Sequence, residues 1–385
     1  MRALLCLVLL LPMTSALAGQ TQPTPQAYTL SPARRAQAVA YAHSRHWNYF
    51  LDTAATLVAL ASIRLSRISA RLRAWSPPVV LAALMLIELP FDARSHVLAV
   101  RYGQSLETWS TWLADWAQAQ AIVLPLTAVG LWALYALMRR SPQRWWFYAW
   151  LFSIPFSIAS VYLEPLWIAP LFNHFEPLAK SHPALVLQME EILARARVSI
   201  PRERMFEMKA SEKTTSLNAY VSGFGASQRV VLYDTIIAAE TPPQLMTTFG
   251  HELGHYSLHH IAWGLLFASA LSLSGLFTVH RLLRLFLNGP ADWASLPLLL
   301  LLFATGAFLA DPVVNGFSRH QEHAADVYSL DITHDNQAAA QAFQVEGDAD
   351  LSDPDPSPFI RFWLYSHPPT ADRLRFALEY NARPW

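Results

Sequence analysis

The chain has 385 residues, of which 53% are apolar and only 15% charged, with a mean hydropathy of +0.23. Soluble domains carry about 25% charged residues, so this composition excludes an ordinary water-soluble fold and points to a membrane protein. Basic and acidic residues both number 28, giving a formal net charge of zero. That balance excludes a general affinity for nucleic acid.

The N-terminus runs from Arg2 through the apolar stretch Leu4 to Leu11 and reaches Ala16-Leu17-Ala18 before Gly19. Residues 1–18 therefore read as a secretory signal peptide with an A-x-A cleavage site or, if uncut, as a signal-like first helix. The single cysteine, Cys6, falls inside it, so a cleaved chain has no thiol chemistry. Six further segments approach the roughly 20 apolar residues that a bilayer crossing needs. They lie near 47–66, 78–98, 119–138, 145–164, 261–281 and 293–312. Asp52 enters the first, and Glu88 and Asp92 lie in the second; carboxylates at that depth face a cavity or a partner rather than lipid. Four spans thus make an N-terminal membrane domain over 19–169, and the rest, 170–385, is a polar domain interrupted by two spans. Asp348 to Pro358 is acidic and proline-rich and reads as a mobile loop.

Arginine-rich short loops stay in the cytoplasm. Arg64, Arg67, Arg71 and Arg73 follow span one, Arg139, Arg140 and Arg144 follow span three, and Arg281 and Arg284 follow span five. The opposite loops are balanced, with Arg94 and Arg101 beside Asp92, Glu107 and Asp115. The polar domain is accordingly expected outside the cytoplasm, as a cleaved signal peptide also requires.

His251-Glu252-Leu253-Gly254-His255 is the sharpest motif. Histidines at i and i+4 share a helical face, so both imidazoles reach one ion, and the glutamate between them stands beside a metal-bound water. Pro242-Pro243 before Gln244 marks a helix start, which puts the motif inside a helix. His259 and His260 read as interfacial histidines. A catalytic zinc needs a third protein ligand and an open position. That ligand is expected in Asn315 to Asp326, where Glu322 and Asp326 share a face and His320 and His323 compete. Small Ala324 and Ala325 would let this helix pack closely on the first.

These motifs, HELGH and then SRHQEHAAD after two spans, resemble the membrane zinc endopeptidases related to the CAAX prenyl protease and to HtpX. Tyr162 to Leu178, Ser216 to Ile237, and Ser366-His367-Pro368-Pro369 with Arg373 match further family segments in the same order. The resemblance implies a mainly α, polytopic helical membrane protein with a zincin-like metalloprotease domain carrying a short β-hairpin. It implies one zinc ion per chain, held by His251, His255 and Glu322, with Glu252 as general base and Asp326 behind the ligands. It also implies that His367 and Arg373 lie near the site and that Asn218 and Ala219 form an edge for substrate. Read on its own, Asn218 to Val221 with Arg229 to Tyr233 forms a hairpin whose edge can hold an extended peptide.

Two features depart from the family. Eukaryotic members have seven spans, against six and a signal-like segment here, and their catalytic domain faces the cytosol. The expected protein is therefore a bacterial inner-membrane peptidase with a periplasmic site. Its substrates are peptides or proteins, membrane-bound or lipidated, or misfolded envelope proteins. A transporter using Glu88 and Asp92, or an idle scaffold, would have no use for Glu252 and the edge strand.

Overall fold

The computed structural model describes residues 28–66, 77–286 and 292–381. The signal-like segment 1–18 and Arg67, Arg71 and Arg73 lie outside the described residues. Four long helices come first: α1 (Pro32–Leu65), α2 (Pro77–Arg101), α3 (Trp109–Arg140) and α4 (Trp145–Leu163). Ser31 and Thr108 cap α1 and α3, their hydroxyls accepting from the N–H groups of Arg34 and Thr111, with Pro32 at the first turn of α1. Beyond α4 the chain makes a π turn over Glu164–Ile168 and a short helical turn over Ala169–Phe172.

The second half alternates strands and helices, then becomes helical. In order come β1 (Phe175–Pro177), α5 (Pro183–Ala196), β2 (Met205–Met208), β3 (Ala219–Ser222), β4 (Arg229–Tyr233) and α6 (Pro242–Ser257). Then follow α7 (His260–Phe286), α8 (Leu296–Thr333), α9 (Asn336–Ala349), α10 (Pro358–Leu364) and α11 (Thr370–Glu379). The expected hairpin is β3–β4, in the register Ala219 opposite Leu232. It belongs to a larger sheet of order β1-β2-β4-β3, with β2 and β4 parallel. Strands of three and four residues are too short to show alternation, which is why β1 and β2 went unread. The edge position of β3 among the described strands is what the sequence led us to expect.

Of the six expected spans, four coincide with described helical segments long and apolar enough to cross a membrane: Trp109–Arg140, Trp145–Phe172, His260–Phe286 and Trp293–Thr333. The first two fall on α1 and α2, which are long but diluted by polar residues. Some of those residues pair between helices: Asn48 Nδ2 donates to Phe91 O and to Ser95 Oγ, and Trp116 Nε1 donates to Asp92 at 3.0 Å. Tyr49 likewise donates to Asp311 of α8.

Two apolar cores are the largest among the described residues. One joins helix ends: Leu131, Tyr135 and Met138 of α3, Trp145 of α4, Val279 and Leu283 of α7, and Leu296 and Leu299 of α8. The other packs the sheet on α5 and α6, with Met189, Val230, Leu232, Phe249 and Leu253 essentially inaccessible. Each such side chain contributes about 1.5–3 kcal/mol on burial.

The acidic 348–358 segment is not the mobile loop that its composition suggested. Asp348 pairs with Arg34 at 2.7 Å, Asp350 accepts from Ser216 Oγ at 2.8 Å, and Leu351 is buried among Ala38, Tyr41 and Leu98. Composition gave the loop its polarity, but the partners lie over a hundred residues away.

Candidate metal centre

Helix α6 starts as the Pro242-Pro243 pair predicted: Thr241 is the N-cap, and its own N–H donates to Gln244 Oε1 at 2.8 Å. Four turns then carry His251, Glu252 and His255, and α8 crosses close against them. A Cβ on Gly254 would meet the Ala325 Cα at 3.1 Å, so the small pair at 254 and 325 brings the two helices into contact. Ser329 donates to Thr247 O at 2.6 Å beside that contact.

This crossing brings three ligand-type atoms together. His251 Nε2 lies 3.1 Å from His255 Nε2 and 3.2 Å from Glu322 Oε2, and His255 Nε2 lies 3.6 Å from Glu322 Oε1. Among the described residues, His251, His255 and Glu322 are the group of three whose ligand atoms all fall within 4.8 Å of one another. Glu322 is 7% exposed, yet its Oε2 has no hydrogen-bond donor. The competition left open by the sequence is thereby resolved in geometry: His320 is exposed, and the His323 ring lies 4.6 Å from the Phe376 ring.

Behind the cluster runs a chain of charge. His251 Nδ1 is 2.8 Å from Asp326 Oδ1, and Arg373 donates to both Asp326 oxygens, at 3.0 and 2.7 Å. The guanidinium also lies 4.1 Å from the centre of the Phe343 ring. Burial disfavours charge on His251, but Asp326 and Glu322 outweigh it and push its pKa up to about 10. The Asp326 contact on Nδ1 turns the other ring nitrogen, Nε2, toward His255 and Glu322. Burial raises the Glu252 carboxyl above the usual carboxylate range.

The C-terminal motif is tied to the site through Arg319. It donates to the carbonyls of Arg361 and Tyr365 and so holds the strand leading to His367. His367 Nε2 comes within 3.3 Å of Glu322 Oε2, and its Nδ1 pairs with Ser366 Oγ at 2.9 Å. A cavity of about 680 Å³ opens in front, lined by His251, Glu252, Asn218, Ala219, His367 and Arg373 among others.

At the sheet edge, Asn218 and Ala219 differ. Tyr233 N–H donates to Asn218 O at 3.0 Å, so the Asn218 carbonyl is spent inside the sheet. Alternation in an antiparallel ladder then turns the main-chain groups of Ala219 and Val221 outward. Val221 N–H donates to Glu252. The edge is therefore Ala219 and Val221, with Asn218 contributing to the cavity wall rather than to an open rung.

His260 was also misjudged. It is no interfacial bystander: its Nδ1 lies 2.9 Å from His255 Nδ1. Periodicity hid this, because the chain reverses at His259, where φ is +57°.

A helical membrane bundle, a buried His/His/Glu cluster on crossing helices and a sheet edge beside it define a membrane metallopeptidase. The comparisons agree. Residues 35–174 match the model of the CAAX prenyl protease N-terminal region, described as five membrane helices, and residues 179–381 match that of peptidase family M48. An uncharacterized metalloprotease of Bacillus subtilis, YhfN, is 30% identical over 94% of this chain and 90% of its own length. CAAX prenyl protease 1 of Saccharomyces cerevisiae is 24% identical over 77% of this chain and 69% of its own. The crystal structure of S. mikatae Ste24p superposes with a TM-score of 0.78 at 19% identity, over 91% of this chain and 90% of that one, and shows the shared fold. The chain belongs to peptidase family M48.

Proposed function

We propose that the protein hydrolyses peptide bonds using one zinc ion held by His251, His255 and Glu322, with Glu252 as general base. The observation that carries this is the convergence of two imidazole nitrogens and a donorless buried carboxylate oxygen within 4.8 Å. Like-minded acceptor atoms at that spacing repel one another unless a cation lies between them. Two nitrogens and one oxygen are the donor set of a catalytic zinc site.

When bound, zinc polarises the substrate carbonyl and lowers the pKa of water. The chain's own residues do the rest. Glu252 is held beside the cluster by the Val221 N–H and sits where burial raises its proton affinity, which suits it to take a proton from water and return it to the leaving amine. The outward N–H and C=O of Ala219 can pair with an extended peptide whatever its sequence. His367, 3.3 Å from Glu322, is placed to donate toward developing negative charge on the carbonyl oxygen. Arg373 acts through Asp326, fixing the His251 ring.

We assign the site to the periplasmic face of a bacterial inner membrane. In support, the ends of α3, α4, α7 and α8 that carry Arg139, Arg140, Arg144, Arg281 and Arg284 gather in one core, remote from the His/Glu cluster. Its substrates we read as CAAX-protease-like, peptides or proteins presented at the membrane, a reading supported by the likeness to the CAAX prenyl proteases; envelope quality control of misfolded membrane proteins is the second reading.

The deciding experiment compares wild type with Glu252→Gln in detergent. Both should hold one zinc per chain, while cleavage of a generic peptide falls by about 10²–10⁴ in the variant. Near-normal proteolysis by Glu252→Gln overturns the assignment.

A further inference from the structure

We infer that His260 is the positioning residue for His255, its Nδ1 accepting a hydrogen bond from the His255 ring and thereby fixing the tautomer that presents Nε2 to the ion. This rests on the reading of His251, His255 and Glu322 as ligands. His255 Nε2 is the nitrogen that faces the cluster, 3.1 Å from His251 Nε2 and 3.6 Å from Glu322 Oε1. A nitrogen that ligates must offer its lone pair, so the His255 proton belongs on Nδ1. The partner of that proton is His260 Nδ1 at 2.9 Å, which must then act as acceptor and keep its own proton on Nε2.

The backbone is built for this contact. In an unbroken helix, a residue five positions on stands about 140° around the axis and cannot reach back. Here α6 ends at Ser257, His259 adopts a left-handed φ of +57°, and α7 begins at His260. The reversal swings the His260 ring over His255, with centroids 4.9 Å apart and planes at 76°. Gln321 Nε2 donates to His260 O at 3.2 Å, tying the corner to the helix that carries Glu322. Each histidine ligand thus has a brace from outside: His251 from the Asp326 carboxylate, His255 from a neutral imidazole.

The difference in braces has a chemical sense. A carboxylate raises the basicity of the ring that it receives from, whereas an imidazole orients with little added charge. With Glu322 in the cluster and Asp326 already behind His251, a third buried carboxylate at 260 would further weaken the ion as a Lewis acid.

The test measures zinc affinity of the full-length detergent-solubilised protein by competition with a chromogenic chelator. Wild type, His260→Ala and His260→Asn are compared at one pH. Asparagine places its amide oxygen where Nδ1 stands, so it keeps an acceptor. Expected is a loss of about 10–100-fold in zinc affinity for His260→Ala and recovery of most of it in His260→Asn. The cobalt(II)-loaded forms should show d–d bands altered in the alanine variant and restored in the asparagine variant. Zinc affinity of His260→Ala within twofold of wild type overturns the inference, as does an asparagine variant no better than alanine. Should His260→Ala not fold, His260→Gln replaces it, since its amide lies one carbon too far out, with the same expected loss. Failure of the wild type itself to take up zinc would instead overturn the ligand assignment.

Discussion

Gly254 sits against Ala325 so closely that a Cβ at position 254 would lie 3.1 Å from the Ala325 Cα and 3.2 Å from its carbonyl oxygen. Both neighbours are backbone, so neither can swing aside. Gly254→Ala is expected to cost about 1–3 kcal/mol through overpacking and to lower metal affinity, because the wedge spreads the helices carrying His255 and Glu322. Gly306→Ala, on the partner helix α8 with nothing within 4 Å, serves as the control and should be neutral or slightly stabilising. Thermal unfolding and zinc uptake of the two variants check both statements.

Removing Arg373 strands a buried charge. Asp326 is only 2% exposed and takes two hydrogen bonds from the guanidinium. Arg373→Met should destabilise by about 3–5 kcal/mol and loosen the His251 ring. Adding Asp326→Asn to that variant should restore part of the stability, since the unpaired charge is gone. A double variant no more stable than Arg373→Met would contradict this account of the pair, as read from unfolding transitions.

Glu240 and Glu346 share the Thr248 hydroxyl, at 3.1 and 3.4 Å. Burial raises both carboxyls well above their ordinary value of 4.5, and the neighbouring Glu346 charge adds to the shift on Glu240. The folded state therefore holds protons that the unfolded chain releases. Their stabilising effect is complete below about pH 4.5 and drains away as pH rises toward about 9. Glu240→Gln should be more stable than wild type by at least about 1 kcal/mol at pH 9 and nearly equal to it at pH 5. Unfolding curves at the two pH values decide.

Sidedness can be read with single cysteines, since Cys6 lies in the signal-like segment. A thiol replacing Glu107, in the α2–α3 loop, should react with a membrane-impermeant maleimide in intact cells with a permeabilised outer membrane. A thiol replacing Ser141, after Arg139 and Arg140, should react only once the inner membrane is broken. The reverse pattern would put the site in the cytoplasm.

The sequence was most legible where chemistry demands fixed spacing. His251, Glu252 and His255 lie in one helix, and a four-residue interval on a helix has one geometric meaning. Glu322 and Asp326 were legible as a pair on one face, but choosing Glu322 over His320 and His323 took either the family resemblance or the crossing of α6 and α8. His260 was misread because a periodic argument assumes that the helix continues, and one left-handed residue invalidates it. For Asn218 the sequence could not say which main-chain groups face outward, because that depends on ladder phase, which side chains do not report. The 348–358 segment shows a third limit, for Asp350 is ordered by Ser216 and composition cannot register a partner so distant in the chain.

The segment entering β3 is gripped from both ends of the polypeptide. Leu106 N–H donates to Lys213 O, the hydroxyls of Thr214 and Thr215 donate to the carbonyls of Gln104 and Gly103, and Gln104 in turn reaches Ala349 O. Ser216 then reaches Asp350. The side-chain holds among these span 110 to 245 positions of sequence. During synthesis the β3 edge consequently stays unfinished until the N-terminal helices are inserted and residue 350 has left the ribosome. Long-range closure of this kind is slow relative to local helix formation. The strand beside the His/Glu cluster is thereby set only when segments more than a hundred positions away on either side have come together around it.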